Sequence, residues 1–205
     1  MKLNGFDRIA FIYDFLAKLV FNNSIVNSQK YFLNKIQDYS KVLILGGGSG
    51  QLLVELLKLK PNCEVCYVEA SERMIVLSKN KIKRTSMVHF IHGTEEDISR
   101  SIEYDALITN FYLDLFTEYQ LADIIVKLQS AMKPEAQWIV TDFVSNNKWW
   151  QETMLKVMYW FFRITCDIES QQLPEWDKAV EKIGVKEIES KTFYRSFIKT
   201  SLYQF

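Results

Sequence analysis

The sequence predicts an α/β protein: a doubly wound sheet, mostly parallel, with an antiparallel last strand. Three observations carry this. Strand-like and helix-like segments alternate between residues 41 and 144, and a glycine cluster joins the first strand of that run to its first helix. The chain then closes on two strand-like segments, 185–190 and 197–205, with only residues 191–196 between them. Parallel neighbours need a long crossover, so a pair on so short a link is antiparallel.

Lys41-Val42-Leu43-Ile44-Leu45 is a short unbroken apolar run, suited to a strand buried on both faces. Leu52, Leu53, Leu56, Leu57 and Leu59 then form a helical stripe that stops before Pro61. Residues 63–69 read as a strand and 71–81 as a helix capped by Ser71. Residues 87–91 read as a strand, 95–101 as a short helix and 104–109 as a strand. Thr117 and Gln120 make a capping box for a helix over 118–132, and 137–144 is the fifth strand. Pro174 suits the first turn of a helix that Gly184 stops.

Two regions lie outside this alternation. Phe6, Ile9, Tyr13, Leu16 and Val20 recur at helical spacing, and a second helix is expected over 24–39. Residues 148–164 hold six aromatics and are apolar almost all round, which predicts a helical insertion after the fifth strand. One domain is expected over 1–205: a helical cap (1–40), a core (41–144), an insertion (145–173) and a closing helix with a strand pair (174–205).

At 48% hydrophobic and 24% charged, the chain can build a sizeable core, which excludes a disordered or low-complexity protein. Lys plus Arg and Asp plus Glu each total 25, so no overall basic excess points to nucleic acid or to an anionic membrane. The longest apolar run, 157–162, is far too short to span a bilayer, and Asp7, Arg8 and Asp14 interrupt the start where a signal peptide needs apolar residues. A cytoplasmic location is the expectation. Cys63 and Cys66 read as C-x-x-C, but their spacing on a strand sends the sulfurs to opposite faces. His89 and His92 are separated in the same way, so no metal site is expected.

The chemistry lies in Gly46-Gly47-Gly48-Ser49-Gly50, which has the form G-x-G-x-G. Glycine lets backbone approach a ligand closely, and the following helix presents its positive end there. Glu69 ends the next strand, 19 residues past Gly50, where a carboxylate can accept from both hydroxyls of a ribose. Strand, glycine turn, helix, strand and terminal acid together point to a nucleoside-like ligand in the crevice at the strands' carboxyl ends. Gln51 replaces the third glycine of the G-x-G-x-x-G fingerprint, which speaks against a dinucleotide-dependent oxidoreductase.

VLILGGGSG (42–50), VEASERMI (68–75), FIHGTEEDI (90–98), YDALITNFYL (104–113) and the closing strand pair resemble the class I S-adenosylmethionine-dependent methyltransferases, especially their small-molecule, quinone-methyltransferase-like group. The resemblance implies a Rossmann-like seven-stranded sheet whose last strand runs antiparallel, with S-adenosyl-L-methionine as cofactor. It implies that Gly46, Gly47, Gly48 and Gly50 border the methionine part and that Glu69 holds the ribose. Ala70 and Met74 would flank the adenine, with Gly93, Thr94 and Glu95 beside it and Asn110 near the cofactor. Tyr13 resembles an N-terminal tyrosine that closes over the site in some members. Many members carry an acid directly after the glycine that follows the third strand, whereas this chain has Thr94 and then Glu95.

Displacement at a sulfonium releases a neutral thioether, so the leaving group needs no acid, and alignment with exclusion of water can supply most of the catalysis. A protonated acceptor alone calls for a base. Tyr13, His92 and Asp114 are the candidates, with Tyr112 and Asp142 also near strand ends. The aromatic insertion favours a small hydrophobic or aromatic acceptor, taken by a monomer or homodimer. A methyltransferase-like binding protein without turnover is the alternative.

Overall fold

The computed structural model describes residues 21, 23–82, 86–99, 101–166 and 168–205. Strands β1 (Lys41–Leu45), β2 (Glu64–Glu69), β3 (Val88–His92), β4 (Tyr104–Asn110), β5 (Met132–Phe143), β6 (Lys186–Phe193) and β7 (Ile198–Gln204) join one sheet, ordered β3-β2-β1-β4-β5-β7-β6. The first five are parallel, and β7 lies between β5 and β6, antiparallel to both. The seven-stranded sheet with its antiparallel last strand is as the sequence predicts.

Side chains alternate across a strand, so the central strands feed two cores. Val42 and Ile44 pack with Val65, Tyr67, Ala106 and Ile108 under helix α2 (Gln51–Leu59). Leu43 and Leu45 pack with Cys66, Val68, Leu107, Trp138 and Val140 on the opposite face. Helices α4 (Glu118–Ser130) and α6 (Trp176–Glu181) cover that second face through Leu121, Ile125, Leu128 and Trp176. Cys63 lies in the first core and Cys66 in the second, so the two sulfurs do face apart.

Local chemistry explains the element ends. Ser71 caps α3 (Glu72–Lys81) by accepting the Met74 N–H at 3.2 Å. The Thr117–Gln120 box forms in both directions: Gln120 N donates to Thr117 Oγ1 at 3.3 Å and Thr117 N donates to Gln120 Oε1 at 3.0 Å.

Three boundaries differ from expectation. The helix expected over 24–39 is α1 (Ser24–Lys30), followed by a 3₁₀ turn at Leu33–Lys35. Phe32, Leu33 and Ile36 from this turn join the core under α2. The short helix expected at 95–101 is a 3₁₀ turn, Glu95–Asp97, and β5 begins earlier, at Met132. Its first stretch bulges past β4: Tyr104 pairs Met132 but Ala106 pairs Gln137, with Pro134 and the positive-φ Glu135 in the gap.

The insertion is one helix, α5 (Trp149–Cys166). Its inner side (Leu155, Tyr159, Phe162) joins Phe21, Phe143, Phe197 and Ile198 in a third apolar cluster.

Candidate functional site

The register across the sheet aligns the strands' carboxyl ends. Leu45 pairs Val68 on one side and Thr109 on the other. Glu69 and Asn110, one residue further along their strands, therefore flank Gly46 where the chain leaves β1. Glu69 in turn pairs His92, and Asn110 pairs Thr141. Strand order reverses between β1 and β4, the place where open α/β sheets bind ligands.

The glycine turn is shaped from below. At Gly47 a Cβ would meet the Tyr67 ring at 2.1 Å, so only a residue without a side chain lets the turn settle on β2. Gly48 has φ +63° with nothing within 4 Å of its Cβ position, which leaves an open flank of backbone. Its carbonyl accepts from the Tyr67 hydroxyl at 2.7 Å and lies 3.0 Å from Ser78 Oγ on α3, and the two hydroxyls are 2.9 Å apart. Glu69 completes the frame: Oε2 accepts the Gly48 N–H and Oε1 the Ser71 N–H, each at 2.8 Å. The carboxylate is 7% exposed, so two backbone donors orient it at the edge of the crevice.

Asn110 ends β4 on the other side of β1. It is buried, yet neither its amide nitrogen nor its oxygen has a partner among the described residues. Orphaned buried amides are costly, and here the cost falls at the one row of the sheet where a ligand is expected. An open glycine backbone, an oriented carboxylate and an amide offering both donor and acceptor fit a polar nucleoside with an amino-acid tail.

On the β3 side, Gly93 is closed in by Asp97, whose Oδ2 would lie 2.2 Å from a Cβ there. Thr94 is engaged in a capping box: its hydroxyl accepts the Glu96 N–H at 3.3 Å, and its N–H donates to Asp97 Oδ2 at 2.9 Å. Glu95 points inward, and its Oε2 accepts from the buried Tyr112 hydroxyl. The Tyr112 ring packs against Gly46. Burial and the neighbouring Glu95 carboxylate raise the Tyr112 hydroxyl well above its ordinary value, so it stays a donor. Met74 is buried on α3 and Ala70 half-buried after β2. His92 is exposed and its Nε2 lies 3.0 Å from the Ala70 carbonyl, on the β3 side and away from α5.

Across the crevice, a 3₁₀ turn at Leu113–Leu115 follows β4. Its amides converge on Asp142 at the end of β5: Oδ2 accepts the N–H groups of Tyr112, Leu113 and Asp114 at 3.3, 3.0 and 3.2 Å, and Oδ1 that of Phe143 at 2.8 Å. Asp114 is buried beside it, with Oδ1 unpartnered among the described residues. Burial raises the Asp114 carboxyl to about 7. Burial and the Asp114 charge push Asp142 well above its ordinary value, against its four backbone donors, which favour the charged form, so the two carboxyls titrate as a pair. The Tyr159 hydroxyl of α5 donates to the Asp114 carbonyl at 2.9 Å and ties the helix to this turn.

The structure thus brings Gly46, Gly47, Gly48, Glu69 and Asn110 to one place, with Gly50 opening α2 just behind them. Tyr13 lies outside the described residues. Three features escape a linear reading: the Tyr67–Ser78 clamp, the Glu95–Tyr112 contact and the Asp142 amide cradle. The one local signal for the first is that Ser78 lies seven residues, two helical turns, after the cap Ser71 on the buried side of α3.

A family model described as a methyltransferase domain matches residues 42–135. The carboxy-S-adenosyl-L-methionine synthase of Nautilia profundicola is 27% identical over 130 residues, 62% of this chain and 54% of that protein. The chain therefore spans about half the length of that curated relative. Among solved structures, a chain of the complex between the Haloferax volcanii Trm112 methyltransferase activator and its methyltransferase partner superposes with a TM-score of 0.73 at 13% identity, covering 100% of this chain and 97% of that one. The 1,6-didemethyltoxoflavin-N1-methyltransferase of Burkholderia thailandensis, solved with 1,6-didemethyltoxoflavin and S-adenosylhomocysteine, gives 0.70 at 10% identity, covering 98% and 87%. At these identities the likeness shows a shared fold.

Proposed function

We propose that this chain, a member of the class I S-adenosylmethionine-dependent methyltransferases, moves a methyl group from S-adenosylmethionine to a small apolar or aromatic acceptor. The observation that carries the cofactor is the buried Asn110 amide, without a partner among the described residues, at the end of β4 on one side of β1 while Glu69 ends β2 on the other. Glu69 would accept from the ribose hydroxyls, and the open backbone at Gly46–Gly48 with Asn110 would hold the methionine part. Ala70, Met74, Gly93 and the Thr94–Glu95 backbone would line the adenine, since the Thr94 hydroxyl and the Glu95 carboxylate are already engaged. When bound, the cofactor supplies a methyl on a positively charged sulfur that departs as a neutral thioether.

The chain's own residues then have three tasks. The frame of Glu69, Tyr67 and Ser78 fixes the turn, so the reacting centre is positioned before an acceptor arrives. The aromatic cluster under α5, with Phe111, Phe143 and Tyr159, keeps water from the acceptor side and supports an apolar substrate. Asp114, buried and raised to about 7, is the group we assign to take a proton from an acceptor hydroxyl or amine. Its place on the β4 side, below α5, distinguishes it from His92.

Calorimetric titration with S-adenosylmethionine and S-adenosylhomocysteine tests the cofactor, and heat saturating at one site is expected. A methylation screen of phenols, quinols and polar metabolites tests the acceptor. Turnover confined to the polar compounds contradicts the apolar assignment.

A further inference from the structure

Of the twelve large hydrophobic side chains exposed among the described residues, four lie on α5: Trp149 (79%), Val157 (59%), Trp160 (66%) and Ile164 (66%). At 3.6 residues per turn they fall within about 80° of arc, opposite the inner side that carries Leu155, Tyr159 and Phe162. Thr153 sits in the same arc, and its hydroxyl is taken by the Trp149 carbonyl at 2.9 Å. The stripe runs for about 22 Å, the axial rise from residue 149 to 164. Exposed cations border it: Lys156 and Arg163 on one flank and Lys148 just before the helix, against the single acid Glu152 on α5. An outward tryptophan-rich stripe flanked by Lys and Arg is the composition of a helix lying in the plane of a membrane surface. No described helix is long and apolar enough to cross a membrane.

We propose that the outward face of α5 seats this protein on an anionic lipid bilayer, with Trp149, Val157, Trp160 and Ile164 in the headgroup–acyl boundary and Lys148, Lys156 and Arg163 on lipid phosphates. Charge decides between a bilayer and a second copy of the chain. Self-pairing about the middle of the stripe, at Val157, sets two copies of Lys156 side by side, whereas anionic headgroups meet all three cations with opposite charge. The inference goes beyond methyl transfer and stands without it. Where both hold, the helix that Tyr159 ties to the Asp114 turn lies against the phase that dissolves an apolar acceptor.

Co-sedimentation of the full chain with phosphatidylcholine vesicles, with and without phosphatidylglycerol, is the test. The protein is expected to pellet with the anionic vesicles and to be released by salt. Trp149→Ser with Trp160→Ser lowers the partition coefficient at least about tenfold, and Val157→Glu does the same by a separate change. Lys156→Gln with Arg163→Gln lowers it about fivefold per cation removed. All five positions are exposed, so circular dichroism melts should match the parent. Failure to pellet with anionic vesicles, or unchanged partitioning of the tryptophan variant, overturns the proposal. So does a solution dimer, by light scattering, in which these tryptophans are shielded from iodide quenching.

Discussion

Glu69 does two things with one carboxylate: it accepts two backbone N–H groups that shape the glycine turn and, in the proposed complex, it holds the ribose. Glu69→Ala removes both, at about 1.5–3 kcal/mol for each charge-assisted bond, so S-adenosylmethionine affinity measured by calorimetry is expected to fall at least about tenfold. Glu69→Gln keeps one acceptor oxygen and should lie between. Asp114 gives a pH signature. Its carboxyl holds a proton to about pH 7 when folded but ionises from its ordinary value of 3.8 when unfolded. A raised folded value means that this contribution is complete below about pH 4 and is lost as pH rises to 7. The difference in Tm between the parent and Asp114→Asn should therefore change steadily from pH 4 to 7, with the parent losing the more, and a pH-independent difference contradicts the buried proton. Glu69 was legible as a strand-end acid at the right distance from the glycines. The Asp114–Asp142 pairing was not, because it needs two strand ends 28 residues apart to meet.

At the scale of elements, the chain's punctuation read well where one side chain meets a nearby amide. Ser71 and the Thr117–Gln120 box are local, and both form. Thr117→Ala should lower stability by about 1 kcal/mol in urea melts, through loss of an α4 cap. Boundaries that depend on distant packing did not read so well. The break after α1 has no capping side chain to announce it, and the early start of β5 follows from a bulge against β4. The turn at Leu113–Leu115 is a third such case, built by Asp142 rather than by its own residues. Asp142→Asn turns one acceptor into a donor facing amides and should cost about 1–3 kcal/mol by the same melts, with a loss near zero arguing that the cradle is not stabilising.

At the scale of the molecule, alternation of apolar runs determines the sheet and the sheet determines the site. A two-face pattern in β1 and β4 requires helices on both sides, and the reversal of strand order between them opens the crevice above Gly46, Glu69 and Asn110. The antiparallel end was readable from the short link between the last two strands, expected at 191–196 and found at 194–197, whereas the insertion of β7 between β5 and β6 was not, since strand order is a long-range choice. Ligand binding to the folded state alone adds about 2.7 kcal/mol at one hundred times Kd, so saturating S-adenosylhomocysteine should raise Tm by about 5–10 °C. The most direct test is a crystal structure with S-adenosylhomocysteine. Its ribose hydroxyls are expected within hydrogen-bond distance of Glu69, with Asn110 newly bonded and the amino-acid tail along Gly46–Gly48. A ligand bound elsewhere, or a crevice filled by the protein's own side chains at saturating ligand, would contradict the account.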